Sequence, residues 1–344
     1  MRTPETWINA IGVRVPRSMS AQEAVDRGWY DAESRDWYGW TGAAVAGSVS
    51  APDLAVEAAR QAIDRWDGHL EDLVLHLHAG GFAQGPEGWP AQHYVLRALG
   101  DSAAPSIRVW QNCNGMMAAW ELAAAYLAAR HSPAAALVTG ADNFGIPGTN
   151  RWALGLQYGV LGDAGSALVL SRRPGFARLL AVRSASVPEA EQVTRGNRPI
   201  FPPTREIDAV SDLAQRVTEN GGEASDLAAR LAEQRTETVL RTLAEADLEP
   251  TDVTRVAHTF IGHERYLKTV LAPLGLRTSQ GLLEFGRGVG HLTVNDQAVG
   301  LEHLVATGQV GPGDHVLLLG FTVGVSAACA VVRIERTPTW GRPR

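Results

Sequence analysis

The stretch that decides the fold is Ser106-Ile107-Arg108-Val109-Trp110, followed by Gln111-Asn112-Cys113-Asn114-Gly115 and then by an Ala-rich segment from Met116 to Arg130. The first part predicts a short strand, and the last, whose only acidic residue is Glu121, predicts a long and mostly buried helix. Cys113 then lies on the turn between them, where backbone N–H groups at the helix start favour a thiolate over a thiol. This placement indicates a nucleophile; the alternative is a buried cysteine that acts as a small hydrophobe.

The composition is that of an ordinary globular protein, with 45% hydrophobic residues in 344 and a net charge of −6. The charge has no block of one sign, which argues against nucleic acid or a membrane surface as the main partner. Two cysteines, Cys113 and Cys329, cannot build a disulfide framework, and a reducing cytoplasm is expected. Lys268 is the only lysine, and its mid-helix position argues against Schiff-base chemistry.

Strands and helices alternate along the chain, and the alternation repeats in the second half. We expect a first half over residues 1–174 and a second half over residues 175–344. The glycine-rich segment Gly286-Arg287-Gly288-Val289-Gly290 is expected to be a loop, because its spacing does not match a dinucleotide fingerprint. No apolar run is long enough to span a bilayer, so a soluble protein is expected.

Two other groups of residues could form sites. His76 and His78 alternate on one predicted strand, but no further metal ligands accompany them, and no metal is expected. Trp29, Trp37 and Trp40 lie in a tryptophan-rich region, where they could line a substrate pocket or plug the core from the side.

Three elements complement Cys113 chemically. His258 ends a predicted strand, His291 follows the glycine-rich segment, and the hairpin Gly320-Phe321-Thr322-Val323-Gly324 joins two strands. Imidazole can accept and return a proton near neutral pH, as a thiolate nucleophile requires. Backbone N–H groups of the hairpin can hold the oxyanion that forms when a thioester is attacked.

At this point the chain resembles the thiolase superfamily, specifically the ketoacyl-ACP synthase III group, over nearly its whole length. The motifs that carry the resemblance are Asp53-Leu54-Ala55-Val56-Glu57-Ala58-Ala59, Trp89-Pro90-Ala91, Cys113, Leu161-Gly162-Asp163-Ala164-Gly165, Arg255-Val256-Ala257-His258, and Gly311-Pro312-Gly313-Asp314 leading into Gly320-Phe321.

The resemblance implies an α/β fold of five layers, αβαβα, made of two pseudo-repeated halves and usually assembled as a homodimer. Trp89 would then reach the acyl tunnel of the partner. Cys113 would be the acylated nucleophile, and its backbone N–H would form the oxyanion hole with the hairpin at Val323 and Gly324.

Two departures from the family pattern are informative. Counting back from Gly311, His291 stands where the family has the asparagine of its Cys-His-Asn set, and Trp40 stands where an arginine often binds the CoA phosphates. The segment from Gly290 to Gln297 looks like that of divergent homologues in polyketide and antibiotic pathways. In those homologues the histidine and the aspartate matching Asp296 complete a triad with the nucleophile.

The function expected from this resemblance is ping-pong acyl transfer. The acyl group would pass from a carrier-protein thioester, favoured over CoA because of Trp40, through Cys113 to a hydroxyl or thiol acceptor, without a cofactor. The alternative is a decarboxylative β-ketoacyl synthase that makes a starter condensation. A non-catalytic partner subunit is a third hypothesis, against which the retention of Cys113, His258 and His291 argues.

The two histidines are expected to divide the work. His291, oriented by Asp296, would act mainly as the base for the acceptor, whereas His258 would assist acylation by polarising the thioester.

Overall fold

The computed structural model describes residues 1–100, 102–130, 134–146, 149–152, 159–201, 215–216, 219, 226–321 and 326–341. None of its helices within these ranges has the length and apolar character needed to cross a membrane.

The described residues form eleven strands: β1 Arg2–Arg14, β2 Ser18–Ser20, β3 Gly42–Ala44, β4 Leu73–Ala79, β5 Ser106–Val109, β6 Ala135–Asp142, β7 Ala164–Ser171, β8 Ala177–Ser186, β9 Val253–His258, β10 His315–Phe321 and β11 Ser326–Ile334. Ten α-helices accompany them: α1 Ala21–Asp26, α2 Ala32–Tyr38, α3 Ala51–Asp64, α4 Ala91–Leu99, α5 Gly115–Ala128, α6 Glu191–Arg195, α7 Asp226–Glu245, α8 Glu264–Leu271, α9 Leu283–Val289 and α10 Asp296–Ala306.

Nine strands form one sheet in the order β5-β4-β6-β7-β1-β8-β11-β10-β9, and β2 pairs with β3 separately. The strand order has internal symmetry. In the first half β4 and β6 are parallel and β7 is antiparallel to β6; in the second half β9 and β10 are parallel and β11 is antiparallel to β10. The halves meet where β1 pairs with β8. This mixed α/β architecture with a large central sheet confirms the expected fold class.

Helices α5 and α10 lie between strands of both halves. Helix α5 contacts β4 and β6 of the first half and β8 and β11 of the second, and α10 contacts β7 as well as β9 and β10. The sequence of each explains this position, because apolar and small residues surround the whole helix instead of forming one stripe. The start of each helix therefore lies inside the protein, where the two halves meet.

The helix predicted after the nucleophile turn is confirmed, with α5 beginning at Gly115. The glycine-rich loop predicted from Gly286 to Gly290 is wrong, since Gly286 and Gly288 belong to α9 and only Gly290 adopts a positive φ, of 81°. Packing explains the misassignment: a Cβ on Gly286 would lie 3.0 Å from the Phe260 side chain, so the glycine permits close contact instead of a turn.

Candidate active site

Cys113 lies on a single 3₁₀ turn, Asn112–Asn114, between β5 and α5. The turn is strained at Asn112, which has a φ of 45°, a conformation that asparagine tolerates better than most residues. Asn114 fixes the other side of the turn by donating hydrogen bonds to the carbonyl and hydroxyl oxygens of Ser326, at 3.1 and 3.0 Å. Cys113 is half-buried, so the sulfur is held in place without being sealed from substrate.

His291 is placed against Cys113 by a contact between the halves. Its backbone N–H donates to the Val160 carbonyl and its carbonyl accepts from Gly162, each at 2.9 Å. The ring is buried, and Nε2 lies 3.2 Å from the Sγ atom of Cys113. The structure therefore brings together two residues that are 178 positions apart in the sequence.

Asp296 orients the His291 ring. Its Oδ2 accepts a hydrogen bond from Nδ1 of His291 at 2.6 Å and another from the Phe260 N–H at 2.8 Å. Its Oδ1 accepts from the Leu292 N–H at 2.7 Å. Three donors and a position at the start of α10 stabilise the buried carboxylate, because a helix N-terminus favours negative charge.

The electrostatic balance in this site favours a protonated His291. Burial alone would lower the pKa of its imidazole, but the charges of Asp296 and Cys113, together with hydrogen bonds from both, raise that pKa well above its ordinary value. The arrangement is that of an imidazolium paired on one side with a carboxylate and on the other with a sulfur nucleophile.

His258 ends β9 as expected, but its ring is used differently. Nδ1 lies 2.7 Å from the Thr259 carbonyl, to which it must donate, and Nε2 accepts from the Leu282 N–H at 3.0 Å. Burial lowers the pKa of this imidazole, in keeping with a neutral ring. In this tautomer His258 has no ring N–H to offer a thioester oxygen, and this corrects the expectation that it polarises the thioester.

Val323 and Gly324, the expected oxyanion donors of the hairpin, lie outside the described residues. The chain resumes at Ser326, which is hydrogen-bonded to the residue after Cys113.

The tryptophans differ in position. Trp37 is 59% exposed and its ring lies 5.3 Å from that of His263, whereas Trp40 is 1% exposed and packs against Gly262. Trp40 therefore plugs the core, which corrects its assignment to a substrate tunnel. Trp89 packs against the ring of Tyr94, with centroids 5.3 Å apart.

His76 and His78 are both buried and hydrogen-bonded to the hydroxyl of Thr139, each at 2.9 Å. Among the described residues no cluster of three or more His, Cys, Asp or Glu side chains is arranged to hold a metal ion. Burial lowers the pKa of His76 to about 3 and that of His78 to about 4. The pair belongs to a neutral buried network.

Sequence reasoning missed two residues of the site, Asp142 and Thr293. Thr293 lies two residues after His291 in the chain, and its hydroxyl donates to the buried carboxylate of Asp142. A carboxylate ending a buried strand was the only available signal, since nothing in the sequence indicates its partner.

Residues 243–334 match the family model described as 3-oxoacyl-[acyl-carrier-protein] synthase III C terminal. No curated protein matches the chain.

Solved structures match over almost the full length. The acyltransferase ChlB3 is 43% identical, with a TM-score of 0.90 over 97% of this chain and 99% of that one. The 3-oxoacyl-[acyl-carrier-protein] synthases III from Aquifex aeolicus VF5 and Pseudomonas aeruginosa PAO1 are 17% and 19% identical, with TM-scores of 0.75 and 0.74. They cover 95% and 96% of this chain and 99% of each of those chains, and at such identity they show the fold alone.

Proposed function

Because this chain belongs to the ketoacyl-ACP synthase III-like group of the thiolase superfamily, we propose that it is an acyltransferase working by a ping-pong mechanism through acyl-Cys113. The observation that carries the proposal is the continuous contact from Asp296 through His291 to the Cys113 sulfur. It has the form of a nucleophile, a base and an orienting carboxylate.

In the first half-reaction Cys113 reacts as a thiolate beside a protonated His291. The Cys113 thiolate attacks the carbonyl of an acyl thioester, and backbone N–H groups, which we assign to Cys113, Val323 and Gly324, hold the tetrahedral oxyanion. When the intermediate collapses, the C–S bond to the donor breaks and the departing thiolate takes the Nε2 proton of His291. Acyl-Cys113 and a neutral His291 remain.

The second half-reaction reverses the proton flow. Neutral His291 accepts the proton of an acceptor hydroxyl or thiol as that group attacks acyl-Cys113, and Asp296 stabilises the imidazolium that forms. Collapse of the second intermediate releases the acylated acceptor and restores the thiolate beside the imidazolium. One proton is given and one is regained, so no cofactor is required.

The geometry favours acyl transfer over decarboxylative condensation. Condensation needs two donors on the enolate oxygen of a malonyl group, and the two histidines were the available candidates. Nε2 of His258 accepts a hydrogen bond from Leu282, and Nε2 of His291 faces the Cys113 sulfur. Of these two histidines, His291 alone can therefore present a ring N–H to the reacting centre.

We assign the donor to the carrier-protein class, with CoA as the second choice, because the matching family model is named for the acyl carrier protein. The buried Trp40, at the position where the family often has an arginine for the CoA phosphates, offers no cation there. The similarity to the acyltransferase ChlB3 supports the acyl-transfer assignment. We assign the role to secondary metabolism because the segment from Gly290 to Gln297 resembles that of homologues in polyketide and antibiotic pathways. Both cysteines are free, which suits a reducing compartment such as the cytoplasm.

The test compares the products from two donors, an acyl-carrier thioester and the same acyl group on CoA. Each donor is incubated with a hydroxyl acceptor and, separately, with a malonyl carrier as the second substrate. Acyl transfer predicts an acylated acceptor with no CO2, and a higher kcat/KM for the carrier-bound donor. Stoichiometric CO2 release from the malonyl carrier would instead establish the condensing enzyme, and a far higher kcat/KM with acyl-CoA would refute the carrier assignment.

A further inference from the structure

Thr293 has an unusual backbone conformation for its type. It lies between His291 and Asp296, is buried, and has a φ of 55°. Positive φ is a marked outlier for a β-branched side chain, and such a conformation persists only where the surroundings impose it. A contact from another part of the protein must therefore stabilise the backbone conformation of the turn that follows His291.

The group that holds it is Asp142, the last residue of β6. Its buried carboxylate accepts the hydroxyl hydrogen of Thr293 and also accepts from the N–H groups of Gly81 and Phe82, both at 3.0 Å. Burial raises the pKa of Asp142 to about 6, and the hydrogen bonds from Thr293, Gly81 and Phe82 oppose that rise. The nearest charge that acts on it is Asp163, which is itself paired with Arg151 at 2.7 Å.

A chain of hydrogen bonds ends on the same carboxylate. Gln84 must donate its Nε2 hydrogens to the Ala141 carbonyl, at 2.9 Å, and to Asp142, at 3.2 Å, so its Oε1 faces His78. Nε2 of His78 therefore carries the hydrogen, and Nδ1 accepts from the Thr139 hydroxyl at 2.9 Å. The hydrogen bonds from Thr139 to His78, from His78 to Gln84 and from Gln84 to Asp142 therefore all run in one direction and end on the Asp142 carboxylate.

Asp142 is linked to the turn that carries Cys113 through Gly81, whose N–H it accepts. A Cβ on Gly81 would be 3.2 Å from the Asp142 carboxylate and 3.9 Å from the carbonyl carbon of Asn112, which directly precedes Cys113. We infer that Asp142, acting through Thr293, is a positioning residue that sets His291 against the Cys113 sulfur. The inference rests on the proposed function, because it assigns a role within that same pair.

The test uses Thr293→Val, which removes the hydroxyl and keeps the shape, and Thr293→Ser, which keeps the hydroxyl. Thr238→Val is the matched control, since Thr238 is also buried and its hydroxyl bonds only within α7, to the Gln234 carbonyl at 2.7 Å. The readout is the rate of Cys113 alkylation by iodoacetamide at pH 6 and pH 9. An ordinary thiol, with a pKa of about 8.5, is mostly unreactive at pH 6, whereas a thiolate held by an imidazolium reacts at both.

Thr293→Val is expected to increase the ratio of the pH 9 rate to the pH 6 rate by about tenfold or more. It should also lower kcat by roughly 10- to 100-fold with KM little changed, as expected for a misplaced catalytic group. Thr293→Ser should restore most of both properties, and Thr238→Val should leave both unchanged. If Thr293→Val does not fold, Thr293→Ala serves in its place.

Wild-type values of the ratio and of kcat in Thr293→Val would overturn the inference, as would an equal loss in Thr238→Val. A wild-type enzyme that is no more reactive at pH 6 than an ordinary thiol would refute the proposed Cys113–His291 pair itself. The two failures are therefore distinguishable.

Discussion

At the scale of single residues, the site depends on which atoms carry protons. His291 and His258 are both buried, and burial lowers the pKa of the His258 imidazole. At His291 the contacts with Asp296 and Cys113 outweigh burial and raise the pKa. The sequence placed His258 correctly at the end of a strand but predicted a loop before His291, where the structure has α9. It could not assign their roles, because the decisive partners of His258 are backbone groups of Thr259 and Leu282, which leave no trace in residue type.

Replacing His291 by alanine should affect the two half-reactions unequally. A departing thiolate can be protonated by water, so acyl-Cys113 should still form, although more slowly. A hydroxyl acceptor has a very high pKa and needs a base as it attacks, so release should fall on the order of 10²-fold or more. Rapid-quench measurement of each half-reaction tests this. A His291→Ala enzyme that fails to acylate but turns over preformed acyl-enzyme normally would reverse the assignment.

The effects of His258→Ala on the two half-reactions can be compared with those of His291→Ala. Because the His258 ring bonds to the backbone of Thr259 and Leu282, its loss should lower stability, and the ratio of the acylation rate to the deacylation rate should stay close to that of the wild type. A selective loss of acylation in this variant would restore the role expected from sequence.

At the scale of elements, the strand, turn and helix around Cys113 could be predicted because the pattern is local. The structure of the Gly286–Gly290 segment could not be predicted in the same way. Glycine allows both a positive φ and close packing, and the sequence does not show which of the two applies. The buried network around Asp142 was also hidden, because its members come from several separate segments.

The buried titrating groups of this network predict how stability depends on pH. His76 and His78 have folded pKa values of about 3 and about 4, below the unfolded value near 6.5. Because the unfolded chain takes up these protons first, the free energy of unfolding falls as the pH drops from about 6.5 toward these folded values. Asp142 has a folded pKa of about 6, above the unfolded value near 3.9, so its contribution has the opposite sign between pH 4 and 6.

Asp142→Asn should therefore make the loss of stability on acidification steeper than in the wild type. The slopes of the unfolding free energy against pH should differ by roughly 1.4 kcal/mol per pH unit between pH 4 and 6, which corresponds to the binding of one proton. Urea unfolding at half-unit pH steps measures it, and groups shared by the two proteins cancel in the difference. Equal or shallower slopes in the variant would contradict the protonation state assigned to Asp142.

At the scale of the whole molecule, the first half supplies the nucleophile and the second half supplies the base, so neither half is expected to be active alone.

The exposed edge of the sheet is a candidate surface for the association of two chains. Strand β5 is one of the two terminal strands; Ile107 within it and Trp110 directly after it are 50% and 58% exposed. An edge strand with exposed apolar side chains is a ready surface for pairing, and we propose that two copies of the chain associate there.

Trp110→Arg should shift the solution mass from two chains toward one, because it places a charge in the proposed contact. Leu240→Arg is the matched control, since Leu240 is also exposed, at 43%, but lies on α7. Light scattering coupled to size exclusion reads the mass directly. A wild-type monomer, or a Trp110→Arg variant that keeps the wild-type mass, would exclude this contact.

Intact mass spectrometry, after incubation with a panel of carrier-bound and CoA-bound acyl thioesters, shows directly whether Cys113 carries the acyl group. The wild type and Cys329→Ala should both gain the mass of one acyl group, because Cys329 is buried and burial raises the pKa of its thiol to about 12. Cys113→Ala should gain none. An adduct of the same mass on Cys113→Ala, or turnover of a donor by the wild type without any adduct on Cys113 under rapid quench, would contradict the account.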